Sequence, residues 1–356
     1  MFNDSRLGNL LLASLLCAAA ASARQPAPQS QAGATGAMHL DVVVTSKSGP
    51  PVSGLAQQDF TLLDNKAAQT ITSFKEVSAR EAAVEIVLVI DAVNDTVQNL
   101  GYERIQIDKF LEADGGNLAY PIAIDVLTDT GIEPVASFSS NGDALSAVLQ
   151  KSDIGLRSIG RTAGYWGATE RLQYSLDGLN AIVKSEAPRP GRKVIVWVSP
   201  GWPLLDGPNV ELGSKEQQQL FATIVSISTD FLRDHITLYS VDPLGAGESP
   251  LRESEYEQFL KGVSKPDQTQ PGNLGLEVIA IQSGGLALSA GNDTAKSLED
   301  CVADSAPYYE ISFEPAAPER PDEYHRLEIK LDRPGLTART RDGYYAEPPA
   351  APAPAN

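Results

Sequence analysis

Apolar residues along the chain follow two periods, and the change from one to the other divides it. Over 38–80 the pattern is that of strands: "LDVVVTS" is a β-branched run, and "DFTLLD" and "QTITSFKEV" alternate on either side of a turn at Asn65-Lys66. The same texture returns over 306–346 in "YYEISFEP", "YHRLEIKLD" and "LTARTRDGYYA", which are separated by Pro and Gly. Neither group has enough strands to cover a core alone. The two are therefore expected to pack together as one small β-sandwich, with the middle of the chain inserted between them.

The middle, 84–305, alternates strand with helix. "EIVLVID" is a buried strand, and a helix is predicted over 98–111. "YPIAIDVLT" and "IEPVASFS" are close enough to form a hairpin around 128–131, and "DALSAVLQK" is a short helix. Leu172, Leu176, Leu179 and Val183, spaced four, three and four, form one helical stripe. After the buried strand "KVIVWVS", Ser214 to Gln217 fits a capping box opening a helix with Leu220, Ile224, Ile227 and Phe231. "ITLYSV", helices over 253–262 and 276–282, the edge strand "GLALSA" and a helix capped by Asn292-Asp293-Thr294 complete the series. Alternating strands and helices with apolar strands mean a doubly wound, mostly parallel sheet covered on both faces, with one antiparallel edge strand from the hairpin.

Outside these regions the pattern fails. An apolar run from Leu10 to Ala21, followed by small residues up to Ala23, predicts a signal peptide over 1–23 and a periplasmic or secreted protein. The run is too short to span a bilayer, which takes about 20 apolar residues, and no membrane insertion is expected after cleavage. Residues 24–37 read as a disordered linker and 347–356 as a disordered tail. Cleavage would remove Cys17 and leave Cys301 alone on an apolar helical stripe, a structural thiol with no disulfide partner.

Charge narrows the partners. Lys and Arg total 28 against 46 Asp and Glu, a net charge of −18, which repels phosphate backbones and argues against nucleic acid. The three histidines, His39, His235 and His325, lie far apart in sequence without metal-ligand spacing. There is no nucleophile elbow, P-loop or dinucleotide-binding glycine pattern. A spatial Ser–His–Asp triad stays open, but nothing points to one. The chain is read as a non-enzyme.

The order of "LDVVVTSKSGPPVSGLAQQDFTLLDN", "VLVIDAVND", "GRKVIVWVSPGWP", "ITLYSVDPLG", "SGGLALSAGND" and "YHRLEIKLDRPGLTARTRDGYYA" resembles the von Willebrand factor type A (VWA) family, and more narrowly its bacterial exported VWFA-related subgroup. The resemblance implies a sheet that binds partners at the carboxyl ends of its strands, where many members hold Mg²⁺ in a metal-ion-dependent adhesion site. Residue by residue, Asp91 matches the first aspartate, Val93 stands at the first serine, Asp95 at the second, and Thr162 at the threonine of the second loop. Pro200, in Ser199-Pro200-Gly201, replaces the last aspartate, and Asp206 lies further along that loop. Two of the family's ligand positions are therefore lost. The resemblance then implies a degenerate site with no cofactor or, at most, weak Mg²⁺ held through waters.

Aromatics on both neighbouring loops, Tyr165, Trp166 and Trp202, suggest contact with an unidentified protein partner; the alternative is that they plug the top of the sheet. Trp197, inside a strand, is expected in the core. A structural envelope component and a weakly metal-dependent adhesion protein remain the competing classes.

Overall fold

The computed structural model describes residues 36–47, 49–152, 164–205, 212–244, 250–289 and 293–346. The proposed signal peptide, nearly all of the linker, and the tail lie outside them. The chain opens with β1 (Met38–Ser46), β2 (Phe60–Asp64), β3 (Ala67–Gln69) and β4 (Ile71–Val77). The α/β section runs β5 (Val84–Asp91), α1 (Val97–Leu111), β6 (Asn117–Thr128), β7 (Gly131–Asn141), α2 (Gly142–Leu149), α3 (Gly164–Glu186), β8 (Arg192–Val198), α4 (Ser214–Arg233), β9 (Ile236–Asp242), α5 (Pro250–Glu257), α6 (Leu276–Gln282), β10 (Ala287–Ser289) and α7 (Thr294–Asp304). It closes with β11 (Tyr308–Phe313), β12 (Glu323–Leu331), β13 (Leu336–Arg339) and β14 (Gly343–Ala346).

The central sheet has six strands in the order β10-β9-β8-β5-β6-β7. All pairs are parallel except β6–β7, so the hairpin supplies the one antiparallel edge strand. Alternate residues of β5 serve opposite layers. Ile86, Leu88 and Ile90 pack with Leu100, Ile107 and Phe110 of α1, Leu145 of α2 and Leu298 and Cys301 of α7. Val87 and Val89 pack with Leu176 and Leu179 of α3, Ile224 and Ile227 of α4 and Ile279 of α6. Burial on both faces is why these strands read as continuous apolar runs.

Two four-stranded sheets, β13-β1-β11-β4 and β14-β12-β2-β3, form the sandwich from the two ends of the described chain. Leu40, Val42, Tyr309 and Phe313 on one sheet meet Phe60, Leu62, Leu327 and Tyr344 on the other. The chain leaves after β4 and returns on β11, and these two strands are neighbours, with Tyr308 opposite Val77. Entry and exit of the insertion therefore lie side by side.

Four local expectations change. "QTITSFKEV" is not one strand: β3 pairs with β2 across a turn in which Asn65 and Lys66 take φ of 47° and 70°, and β4 crosses to the other sheet. "LTARTRDGYYA" divides likewise into β13, paired with β1, and β14, paired with β12. The N-cap of α4 is Gly213, whose N–H donates to Glu216 at 2.7 Å, and the box expected from Ser214 and Gln217 does not form. The helix expected over 253–262 instead spans Pro250–Glu257, because Phe259 turns inward against Leu204 and Val278.

Candidate functional site

In open α/β sheets, ligands bind at the carboxyl ends of the strands where the strand order reverses. Here that point lies between β5 and β8, and Asp91 and Ser199 flank it. Asp91 is fully buried. Its Oδ1 accepts from the backbone N–H groups of Val93 (3.1 Å) and Asn94 (2.9 Å). Its Oδ2 accepts from Asn94 Nδ2 (2.9 Å) and the Trp197 indole (3.0 Å). Burial pushes this carboxyl upward against the pull of Asn94, Trp197 and Ser199. With two donors on each oxygen, the carboxylate already has its full complement of hydrogen bonds.

The neighbouring positions are equally committed. Val93 is buried in the layer beneath α3, so the first serine position holds a core side chain. Asp95 is 2% exposed, and its Oδ1 accepts from the Thr96 N–H (2.6 Å) and Asn99 Nδ2 (2.7 Å). Thr96, not Asp95, caps α1 by accepting from the Asn99 N–H. The second oxygen of Asp95 and both oxygens of Glu103 are buried without a donor. Burial, followed by Asp95, Asp91 and Asp242, pushes the Glu103 carboxyl well above the glutamate range. Burial beside these carboxylates thus favours the protonated form of Glu103.

The second strand end is closed. Gly201, at φ 102°, has no room for a side chain, because a Cβ would lie 2.4 Å from the Arg252 guanidinium and 2.5 Å from Glu277. Arg252 bonds both oxygens of Glu277 (2.7 and 2.9 Å) and the Trp202 carbonyl (2.7 Å), clamping the loop. Trp202 is fully buried, edge-on to Trp197 at 5.1 Å between ring centroids. It is therefore the plug of the sheet and not a contact surface: the clamp holds the loop down and aims the indole into the core.

Tyr165 and Trp166 are elsewhere. Ser175 of α3 accepts from Asn94 Nδ2 at the rim, and the far end of α3, at Glu186, meets Arg189, which pairs with Glu85 at the start of β5. The helix therefore descends from the rim, and nine residues above Ser175, about 14 Å, Trp166 overhangs it. Trp166 is 78% and Tyr165 49% exposed, with their rings 6.0 Å apart. Thr162 and Asp206 lie outside the described residues.

Among the described residues, no group of three or more His, Cys, Asp or Glu is arranged to hold a metal ion. Among the described residues, a saturated Asp91, an apolar Val93 and Pro200 supply no free side-chain oxygen toward the near-octahedral set that Mg²⁺ requires. Glu103 and the indole of Trp197 belong to the site although the sequence reading placed neither there. Glu103 carried a signal: with Leu100, Ile107 and Phe110 it lies on the buried stripe of α1 at spacings of three, four and three.

No family model matches the chain, and no curated protein matches it. Among solved structures it is similar to the conserved hypothetical protein BatB from Bacteroides thetaiotaomicron, with 14% identity over 63% of this chain and 98% of that one and a TM-score of 0.33. It is also similar to the manganese-loaded TRAP protein of Plasmodium vivax, with 8% identity over 76% and 96% and a TM-score of 0.35. A third similarity is to the SpRpn10 VWA domain, with 8% identity over 54% and 93% and a TM-score of 0.27. At such identities and scores the likeness says nothing of what this chain binds.

Proposed function

We propose that this chain is an exported, non-catalytic protein-interaction module of VWA type, periplasmic or secreted, whose ion site is degenerate. The partner is recognised by side-chain contact at the rim. The observation that carries this reading is the pairing of a filled rim with an overhanging aromatic pair. Asp91 is saturated by its own protein, while Tyr165 and Trp166 project beyond the sheet. Exposed Trp and Tyr offer large contact area at low entropic cost and are enriched in interaction hot spots. In support of a role without membrane insertion, no helix among the described residues is long and apolar enough to cross a membrane.

The test is crosslinking capture from the exported fraction with wild type beside Trp166→Ala. The variant should lose at least tenfold of the captured partner, about 1.4 kcal/mol of binding. Its melting temperature should stay within a degree or so, since an exposed side chain contributes little to stability. Undiminished capture by Trp166→Ala would refute the assignment of the contact surface.

A further inference from the structure

A cavity of about 30 Å³, partly open to solvent, lies between α4, α6 and the segment that carries β12 and β14. That is room for roughly two water-sized groups. Ile224, Ile227 and Phe231 of α4, with Leu274, Ile279 and Tyr345, make most of its wall apolar.

One corner is polar. Arg341 is 7% exposed, and its Nη1 donates to the carbonyl of Ser228, another lining residue, at 3.3 Å, which places the guanidinium at this cavity. Among the described residues no other acceptor meets it and no carboxylate forms an ion pair with it. Asp41 acts on it only from a distance and is already drawn to Arg192 and His235. Burial pushes Arg341 down to about 10, as expected of a guanidinium without a counter-ion.

Tyr324 completes the corner. It and Arg341 act on each other's ionisation, so hydroxyl and guanidinium are close. Two glycines give the hydroxyl its place: a Cβ on Gly262 would lie 2.4 Å from that oxygen, and one on Gly343 2.5 Å. Among the described residues the hydroxyl has no hydrogen-bond partner. The neighbouring polar side chains are spent: Asn273 donates to the Phe259 carbonyl, Gln282 to that of Leu260 and Ser283 to that of Ala280. A buried cation calls for a counter-charge, which water does not supply. A carboxylate supplies it and can accept from guanidinium and hydroxyl together, while an alkyl group attached to it suits the apolar wall.

We propose that this cavity binds a short aliphatic monocarboxylate of acetate size, its oxygens on Arg341 and Tyr324 and its methyl group against Ile224, Ile227 and Leu274.

Wild type should melt higher in sodium acetate than in sodium gluconate of equal ionic strength, since a ligand that binds only the folded state stabilises it and gluconate is too large to enter. Acetamide, similar in shape but uncharged, should give no rise. Arg341→Gln should abolish the acetate effect, and Tyr324→Phe should weaken acetate binding, read by calorimetric titration, by about fivefold. If Arg341→Gln does not fold, the comparison of acetate with acetamide on wild type still decides. Equal melting in acetate and gluconate would overturn the proposal. So would a rise in sodium chloride as large as in acetate, which would mean an unselective response to small anions.

Discussion

Replacing Trp202 with alanine should lower the unfolding free energy by about 3–5 kcal/mol, the range for deleting a large buried aromatic side chain. The indole is fully enclosed, packs edge-on against Trp197, and sits among the residues joining the sheet to α4 and α6. The loss should spread. Trp197 donates to Asp91, so a cavity beside it loosens the groups that saturate that carboxylate. Urea unfolding of wild type and variant reads the effect directly. A change under about 1 kcal/mol, with capture lost, would restore Trp202 as a contact residue and contradict the buried position.

Glu103→Gln should raise stability at neutral pH by about 1–3 kcal/mol, the usual cost of a buried polar group lacking its partner. Burial and the nearby carboxylates raise the Glu103 carboxyl in the folded protein above its ordinary value of 4.5. A group whose folded value is raised contributes stability that is fully present below the unfolded value and lost as pH climbs through the folded one. Wild type should therefore lose stability progressively above about pH 4.5, and Glu103→Gln, which presents an N–H donor to Asp95 without needing a proton, should lose less. Parallel pH profiles for the two proteins would show that Glu103 does not hold the proton.

The strands were legible because burial on one or two faces writes itself as alternation or as a continuous apolar run. What periodicity does not carry is the identity of the pairing partner. "QTITSFKEV" alternates through Thr70, yet β3 and β4 belong to different sheets. The same holds for the passage from β13 to β14. Trp202 was ambiguous for a related reason: it follows Pro200 and Gly201, beyond the strand, where no period tells inside from outside. Its burial depends on Arg252 and Glu277, two residues remote in sequence that clamp the loop. Trp166 looked equivalent to Trp202 in the sequence, but it occupies the first turn of a helix that overhangs the rim.

At the rim, the sequence shows that Val93 and Pro200 carry no side-chain oxygen, whatever the structure. That Asp91 is also occupied could not be read, because its fourth donor is an indole 106 residues away that the strand pattern assigned to the core. The upward push on the Glu103 carboxyl comes from burial and then from three further carboxylates, at the ends of β5 and β9 and in the loop before α1, which only the fold brings together.

Calorimetric titration of the protein with Mg²⁺, repeated with Mn²⁺ and Ca²⁺, asks most directly whether the rim has exchanged ion chemistry for side-chain contact. The expected result is no binding tighter than about 100 µM, or about −5.5 kcal/mol. Tighter binding to wild type that disappears in Asp91→Asn would show a working ion site and contradict the account.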